Sequence, residues 1–303
     1  MGKLSALTGR NLKRYLRDKG TIFFSLLSMM IVIVLMFFFL GDVNVTGVTD
    51  LLGQFPGRSA GQDEKNAELL ILAWTCAGIV SINAVTVTMA VLSYMIRDRE
   101  TGKLAAIYTA PISRLTIAAS YVLSAWVCSV FMCSATLLFT EGYCILQGLE
   151  PFSLVTHLEL LGYICVNSFT YASLMYLVAS LVKSEGAWGG LGTIIGTLVG
   201  FLGGIYMPIG SLSAPVAGIV KCTPVIYGTA LFRDAMTEAI TQRTFQGVPQ
   251  LYVTGFREAM GMELTVGGHR VTTLHQLAIL ALGGTVFLLA GAAVTRLSKK
   301  NDR

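Results

Sequence analysis

The side chains able to do chemistry in this 303-residue chain are few and far apart. Its three histidines, His157, His269 and His275, stand alone, and neither a His-Glu-x-x-His nor a Gly-x-Ser-x-Gly motif accompanies them. Histidines isolated at the edges of apolar runs read as interfacial residues. The six cysteines (Cys76, Cys128, Cys133, Cys144, Cys165 and Cys222) include no Cys-x-x-Cys pair and lie mostly inside apolar runs, as buried free thiols do. Neither set marks a metal or redox site. There is also no Gly-x-x-x-x-Gly-Lys-Ser/Thr phosphate loop, so nucleotide hydrolysis by that route is not expected of this chain.

Polar residues inside the apolar runs are the next candidates. Asn83, Thr86 and Thr88 fall in one run, and Asn167, Ser168, Thr170 and Tyr171 in another. Such groups either line a substrate path or hydrogen-bond one helix to the next. The path reading singles out Asn83, Thr86, Asn167 and Tyr171. Glu159, at the start of its run, belongs at headgroup depth rather than in a proton relay. With no charge placed in mid-membrane, an ion-coupled carrier lacks its usual signature. An embedded enzyme lacks a catalytic constellation altogether.

One polar stretch stands out, residues 97–114, RDRETGKLAAIYTAPISR. It holds four Lys/Arg (Arg97, Arg99, Lys103 and Arg114) and two acids (Asp98 and Glu100) between two apolar runs long enough to cross a bilayer. Residues 101–109 suit a short helix, which Pro111 keeps from continuing. A basic loop between spans reads as cytoplasmic. A short helix in it offers a soluble partner something to hold.

The elements that carry these residues follow from composition. The chain is 54% hydrophobic and 13% charged, against about 25% charged for soluble domains, and its mean hydropathy is +0.68. These values describe an all-α polytopic membrane protein. Nucleic-acid binding is set aside, because the basic residues sit at span ends instead of on one soluble face. Residues 1–20 carry Leu4, Leu7, Leu12, Tyr15 and Leu16 at helical spacing, with Arg10, Lys13, Arg14 and Arg17 between them. That is the pattern of an amphipathic interface helix; a frayed basic tail that only sets topology is the alternative.

Six spans are expected, at about 21–40, 69–96, 115–139, 158–182, 188–206 and 274–297. The first follows a long basic segment without a small-residue cleavage site, so it reads as a retained span. The fifth is rich in glycine, which suits close helix packing in the interior or against another subunit. Residues 207–232 are apolar but broken by Pro208, Pro215 and Pro224, which suits a re-entrant pair of short helices. The more polar 233–273 is expected to project outward. Segments 1–20, 97–114, 183–187 and 296–303 hold fifteen of the 22 Lys and Arg, which puts both termini in the cytoplasm of a multi-pass cell-membrane protein.

Two stretches resemble ABC type-2 exporter permeases. In 97–114 an acidic-basic turn, Arg99, Glu100, Thr101 and Gly102, precedes a short helix and a Pro-aliphatic-Ser-Arg run, as in that family's cytoplasmic loop. In 203–236, GGIYMPIGSLSAPVAGIVKCTPVIYGTALFRDAM, a Gly-Gly-x-aromatic-x-Pro start (Gly203, Gly204, Tyr206, Pro208) and a Pro-x-x-Tyr…Arg finish (Pro224, Tyr227, Arg233) flank the re-entrant segment, as in the family's signature. The resemblance runs the length of the chain, although 233–273 is longer than the minimal pattern. It implies a single permease domain, 1–303, that pairs with a second permease, identical or homologous, within membrane lipid. It further implies a separate cytoplasmic ABC ATPase that supplies ATP and Mg, so that this chain needs no cofactor of its own. Arg99, Glu100, Thr101, Gly102, Lys103, Leu104, Tyr108, Pro111 and Arg114 would then contact the ATPase, and a drug, peptide, lipid or glycan would leave through the dimer interface. The competing reading is an ion-coupled secondary transporter that works without an ATPase; an immunity or sensor subunit is a more distant one.

Overall fold

The computed structural model describes residues 2–23, 27, 30–31 and 41–297, with backbone alone at 41, 42, 105, 106 and 108. The expected first span, 21–40, lies largely outside these residues, and the tail 298–303 wholly so.

The fold is built around one helix. After α1 (Lys3–Arg17) and α2 (Gly41–Leu52), α3 runs unbroken from Ala60 to Glu100. Its 41 residues contain no proline, and at 1.5 Å per residue they extend about 60 Å, roughly twice a hydrocarbon core. α3 is buried along most of its length, against α5 (Arg114–Leu146), α6 (Leu154–Leu181) and α9 (Pro224–Thr244). The short α4 (Lys103–Tyr108) joins α3 to α5, and α7 (Glu185–Leu202) lies at the edge. α8 (Ala214–Lys221) meets α9 at 88°. Then come α10 (Gln250–Ala259), a two-stranded antiparallel hairpin (β1 Leu264–Val266, β2 His269–Val271) and α11 (Thr273–Leu297), which packs on α6.

Local chemistry sets the boundaries. The hydroxyls of Ser113, Ser153 and Ser184 accept the backbone N–H of Thr116, Thr156 and Ala187, capping α5, α6 and α7. Pro224 opens α9, where a missing N–H costs nothing. Gly102 (φ 73°) takes the left-handed turn between α3 and α4.

Among the described residues four helices are long and apolar enough to cross a membrane, α3, α5, α6 and α11, and the bent pair α8–α9 makes a fifth if it is one span. The helix expected over 188–206 runs from Glu185 to Leu202 and ends just before Gly204, which takes a positive φ of 64°. One expectation is corrected. The segment 233–273 does not simply project outward. α9 continues to Thr244, and Ile240, Phe245, Met260 and Met262 join Val48, Leu52, Leu70 and Trp74 in a second packed core at that end.

Ion pairs close this cap. Arg58 donates to both oxygens of Asp63 (2.7 and 2.8 Å) and to the carbonyls of Thr244 and Gln246. Arg257 joins Asp234, Glu238 (2.9 Å) and Glu263 (2.7 Å).

α6 and α9 cross at Gly228. A Cβ there would fall 2.4 Å from Asn167 Oδ1 and 3.3 Å from Ser81 Oγ. Gly228→Ala therefore forces the helices apart and should cost about 1–3 kcal/mol, read as a lower melting temperature of the detergent-solubilised protein. Gly283→Ala meets only Phe287, at 3.9 Å, and should be neutral or slightly stabilising.

Candidate coupling end and re-entrant junction

At one end of α3 the charged loop and α1 meet at Asp98. This carboxylate is buried, 1% exposed. It accepts from Arg14 Nη1 at 2.7 Å, Arg10 Nη2 at 3.2 Å and the Tyr121 hydroxyl of α5 at 2.6 Å. A buried carboxylate needs partners of this kind. The i, i+4 spacing of Arg10 and Arg14 lets one helix face supply two of them. Thr8, Asn11 and Tyr15, also on α1, are buried, and Ser124 of α5 bonds the Thr8 carbonyl. α1 is thus a helix docked onto protein. Lys3 Nζ donates to the Pro111 carbonyl beyond α4.

The loop residues divide by role. Arg99 Nη1 donates to the carbonyls of Ala179 and Val182, closing the end of α6 (3.2 and 2.5 Å). The Glu100 carboxylate accepts the backbone N–H of Glu185 at 2.8 Å, where α7 begins. Arg97 lies 3.5 Å from the Glu185 carboxylate. Leu104 of α4 is buried, whereas Thr101, Gly102, Lys103 and Pro111 are exposed. Tyr108 closes α4 and Arg114 opens α5. One short loop therefore holds the ends of α1, α3, α5, α6 and α7 together.

Toward the other end of α3 sits a buried cation. Arg233 is 0% exposed and its guanidinium lies 3.9 Å above the Trp74 ring. It donates to the carbonyls of Gly204 (2.8 Å) and Met260 (3.3 Å), and Trp74 Nε1 donates to Met260 as well (2.8 Å). Among the described residues no carboxylate pairs with it, so an aromatic face and carbonyl dipoles carry the charge. The glycine at 204 is needed here. Its φ is positive, and a Cβ would stand 3.3 Å from Arg233 Nη1. The opening and the closing parts of the 203–236 motif are thus brought into contact, through Gly204 and Arg233. Tyr206 stacks edge-on with Phe201, Pro208 precedes a 3-10 turn at Ile209–Ser211, and the Tyr227 hydroxyl pins the Lys221 carbonyl at the α8–α9 corner.

The four path candidates lie at helix contacts. Asn83 donates to Thr136 at 2.8 Å, Asn167 donates to the Ser81 carbonyl at 3.0 Å, and Tyr171 is buried. Thr86 alone of the four keeps some exposure, and its hydroxyl turns back to Asn83. All six cysteines are free. Among the described residues no three His, Cys, Asp or Glu converge as metal ligands.

Sequence reading did not single out Asp98 or Trp74. Asp98 carries a signal in retrospect: it lies between two arginines at a span end, and Arg10 and Arg14 are one helical turn apart on α1. Trp74 carries none.

These features define a polytopic helical membrane protein with a buried acid, Asp98, at one end of α3 and a buried cation, Arg233, toward the other. Residues 58–293 match the family described as ABC-2 family transporter protein, and the chain belongs to that family. No curated protein matches it.

Removing Arg233 should be costly. Arg233→Ala strands the Gly204 carbonyl, leaves Met260 to Trp74 alone and empties the space over the indole, for a loss of roughly 3 kcal/mol or more. Arg233→Lys should recover only part of it, lacking the planar fork. Monodispersity after graded heating in detergent reads both. Asp98→Asn should loosen α1 by about 1–3 kcal/mol, discounted because Arg10 and Arg14 keep solvent access, and faster amide exchange over residues 3–17 would report it.

Proposed function

We propose that this chain is the transmembrane permease subunit of an ATP-driven exporter, powered by a separate cytoplasmic ATPase and working as a pair of permeases. Membership of the ABC-2 family supports the class. The observation that carries the mechanism is the loop at 97–114. Its exposed residues Thr101, Gly102 and Lys103, at the start of α4, face a soluble partner, while Arg99 and Glu100 bind the ends of α6 and α7 and Asp98 binds α1. A push on α4 is then transmitted to several helices at once through hydrogen bonds and ion pairs, with no need for the loop to unfold.

The basic segments at 1–20, 97–114 and 183–187 gather at this end, which supports a cytoplasmic placement. The edge position of α7 supports a second permease. Cβ atoms at Gly189, Gly190 and Gly196 would meet nothing within 4 Å, and Ile194, Leu198 and Phe201 are exposed. A helix face of small residues edged by large apolar ones suits another copy's helix. A drug, peptide, lipid or glycan would leave along that interface, beside Thr86. The six-span count, with a first span at 21–40 and a re-entrant α8–α9, belongs to the same proposal.

Exchanging charge at the loop, Glu100→Lys with Lys103→Glu, should reduce ATPase co-purification from solubilised native membranes by at least tenfold, with membrane insertion unchanged. Undiminished co-purification would refute the coupling role. A homo-oligomer that carries no ATPase and moves substrate in liposomes on an ion gradient would refute the class of transporter.

A further inference from the structure

Between α1 and the end of α3 lies a cavity of about 570 Å³, lined by Arg10, Lys13, Arg14, Arg17 and Arg97 together with Asp18 and Tyr94. Five cations thus face one lining carboxylate. Asp18 is already engaged: its carboxylate accepts the Thr21 N–H (3.0 Å) and the Tyr94 hydroxyl (2.9 Å). Asp98, behind the wall, engages Arg10 and Arg14 on their inner side, and Arg14 also stacks on Tyr94 at 4.5 Å. Lys13 and Arg17 are exposed and have no acidic partner among the described residues. Arg97 is about half exposed, with only a 3.5 Å contact to Glu185. Like charges held this close repel one another unless an anion sits between them.

The lining suits a phosphate. Guanidinium forks meet tetrahedral oxyanions with two bonds apiece, and an ammonium adds a mobile point charge. Position decides among phosphates. The wall is the last turn of a membrane-length helix, and α1 exposes Leu16 and Leu4 (54% and 38%) beside its basic face. Apolar side chains next to a cationic pocket are found where lipid headgroups sit.

We propose that this pocket binds a phosphate-bearing anion, and that its source is the headgroup of an anionic phospholipid. The anion would lie over Lys13 and Arg17, the two lining cations without an acidic partner among the described residues, and reach Arg97, competing there with Glu185 of α7. The inference uses the membrane placement of the chain and is independent of the ATPase reading.

The test takes the full chain in neutral detergent and follows its melting temperature against dihexanoyl phosphatidylglycerol, dihexanoyl phosphatidylcholine and inorganic phosphate. Phosphatidylglycerol should stabilise the protein at concentrations at least tenfold below those of the other two. The double variant Lys13→Glu, Arg17→Glu should lose that advantage, and Arg243→Glu, an exposed arginine on the cap-end stretch of α9, should keep it. Equal stabilisation by inorganic phosphate, lost in the double variant, would support the site but assign it to a free phosphate. No preference over phosphatidylcholine, or a preference that survives in the double variant, would overturn the proposal.

Discussion

A guanidinium withdrawn from water must be met by carbonyls, by a carboxylate or by an aromatic face, and Arg233 is met by the first and the last of these. Its partners come from three places in the chain: Trp74 in α3, Gly204 in the turn after α7, and Met260 after α10. The arginine therefore fixes where the turn, α9 and the cap stand relative to the long helix. An ammonium could not bridge two carbonyls and lie flat on an indole together. The apolar second core around Trp74 packs about this satisfied polar junction.

The opposite end of α3 solves the complementary problem. There the buried charge is an acid, Asp98, and two arginines of α1 and a tyrosine of α5 are brought to it. The two junctions differ in rigidity. Arg233 is sealed in protein, whereas Arg10 and Arg14 keep one side open to solvent. Contacts with open sides can be traded for others at low cost. The loop end thus has the character of an adjustable joint, and the cap end that of a fixed one.

Much of this was legible in the sequence. Long apolar runs with at most one charge marked α3, α5, α6 and α11, because hydrocarbon thickness imposes a length that few soluble helices share. The helix at α4 followed from a charged turn and Pro111. The cap was not legible, and α9 shows why. Its buried face carries Thr237 and Thr244, whose hydroxyls bond the carbonyls of Arg233 and Ile240 one turn back. A hydroxyl satisfied by its own helix can be buried, yet it reads as polar in any count. Asp98 was obscured in the same manner, since an acid between Arg97 and Arg99 looks solvated until α1 is placed over it. The hairpin was within reach, as Gly267–Gly268 between short alternating strands is a tight-turn signature.

The length of α3 has a mechanical meaning. Trp74 and Asp98 are about 36 Å apart along an α-helical axis, with neither proline nor a break between them. Such a beam tilts before it bends. If the fixed joint at Trp74 serves as the fulcrum, a tilt of about 5° sweeps the Asp98 end through roughly 3 Å. That displacement is comparable to a hydrogen-bond length, enough to exchange one set of arginine contacts for another without unpacking any helix.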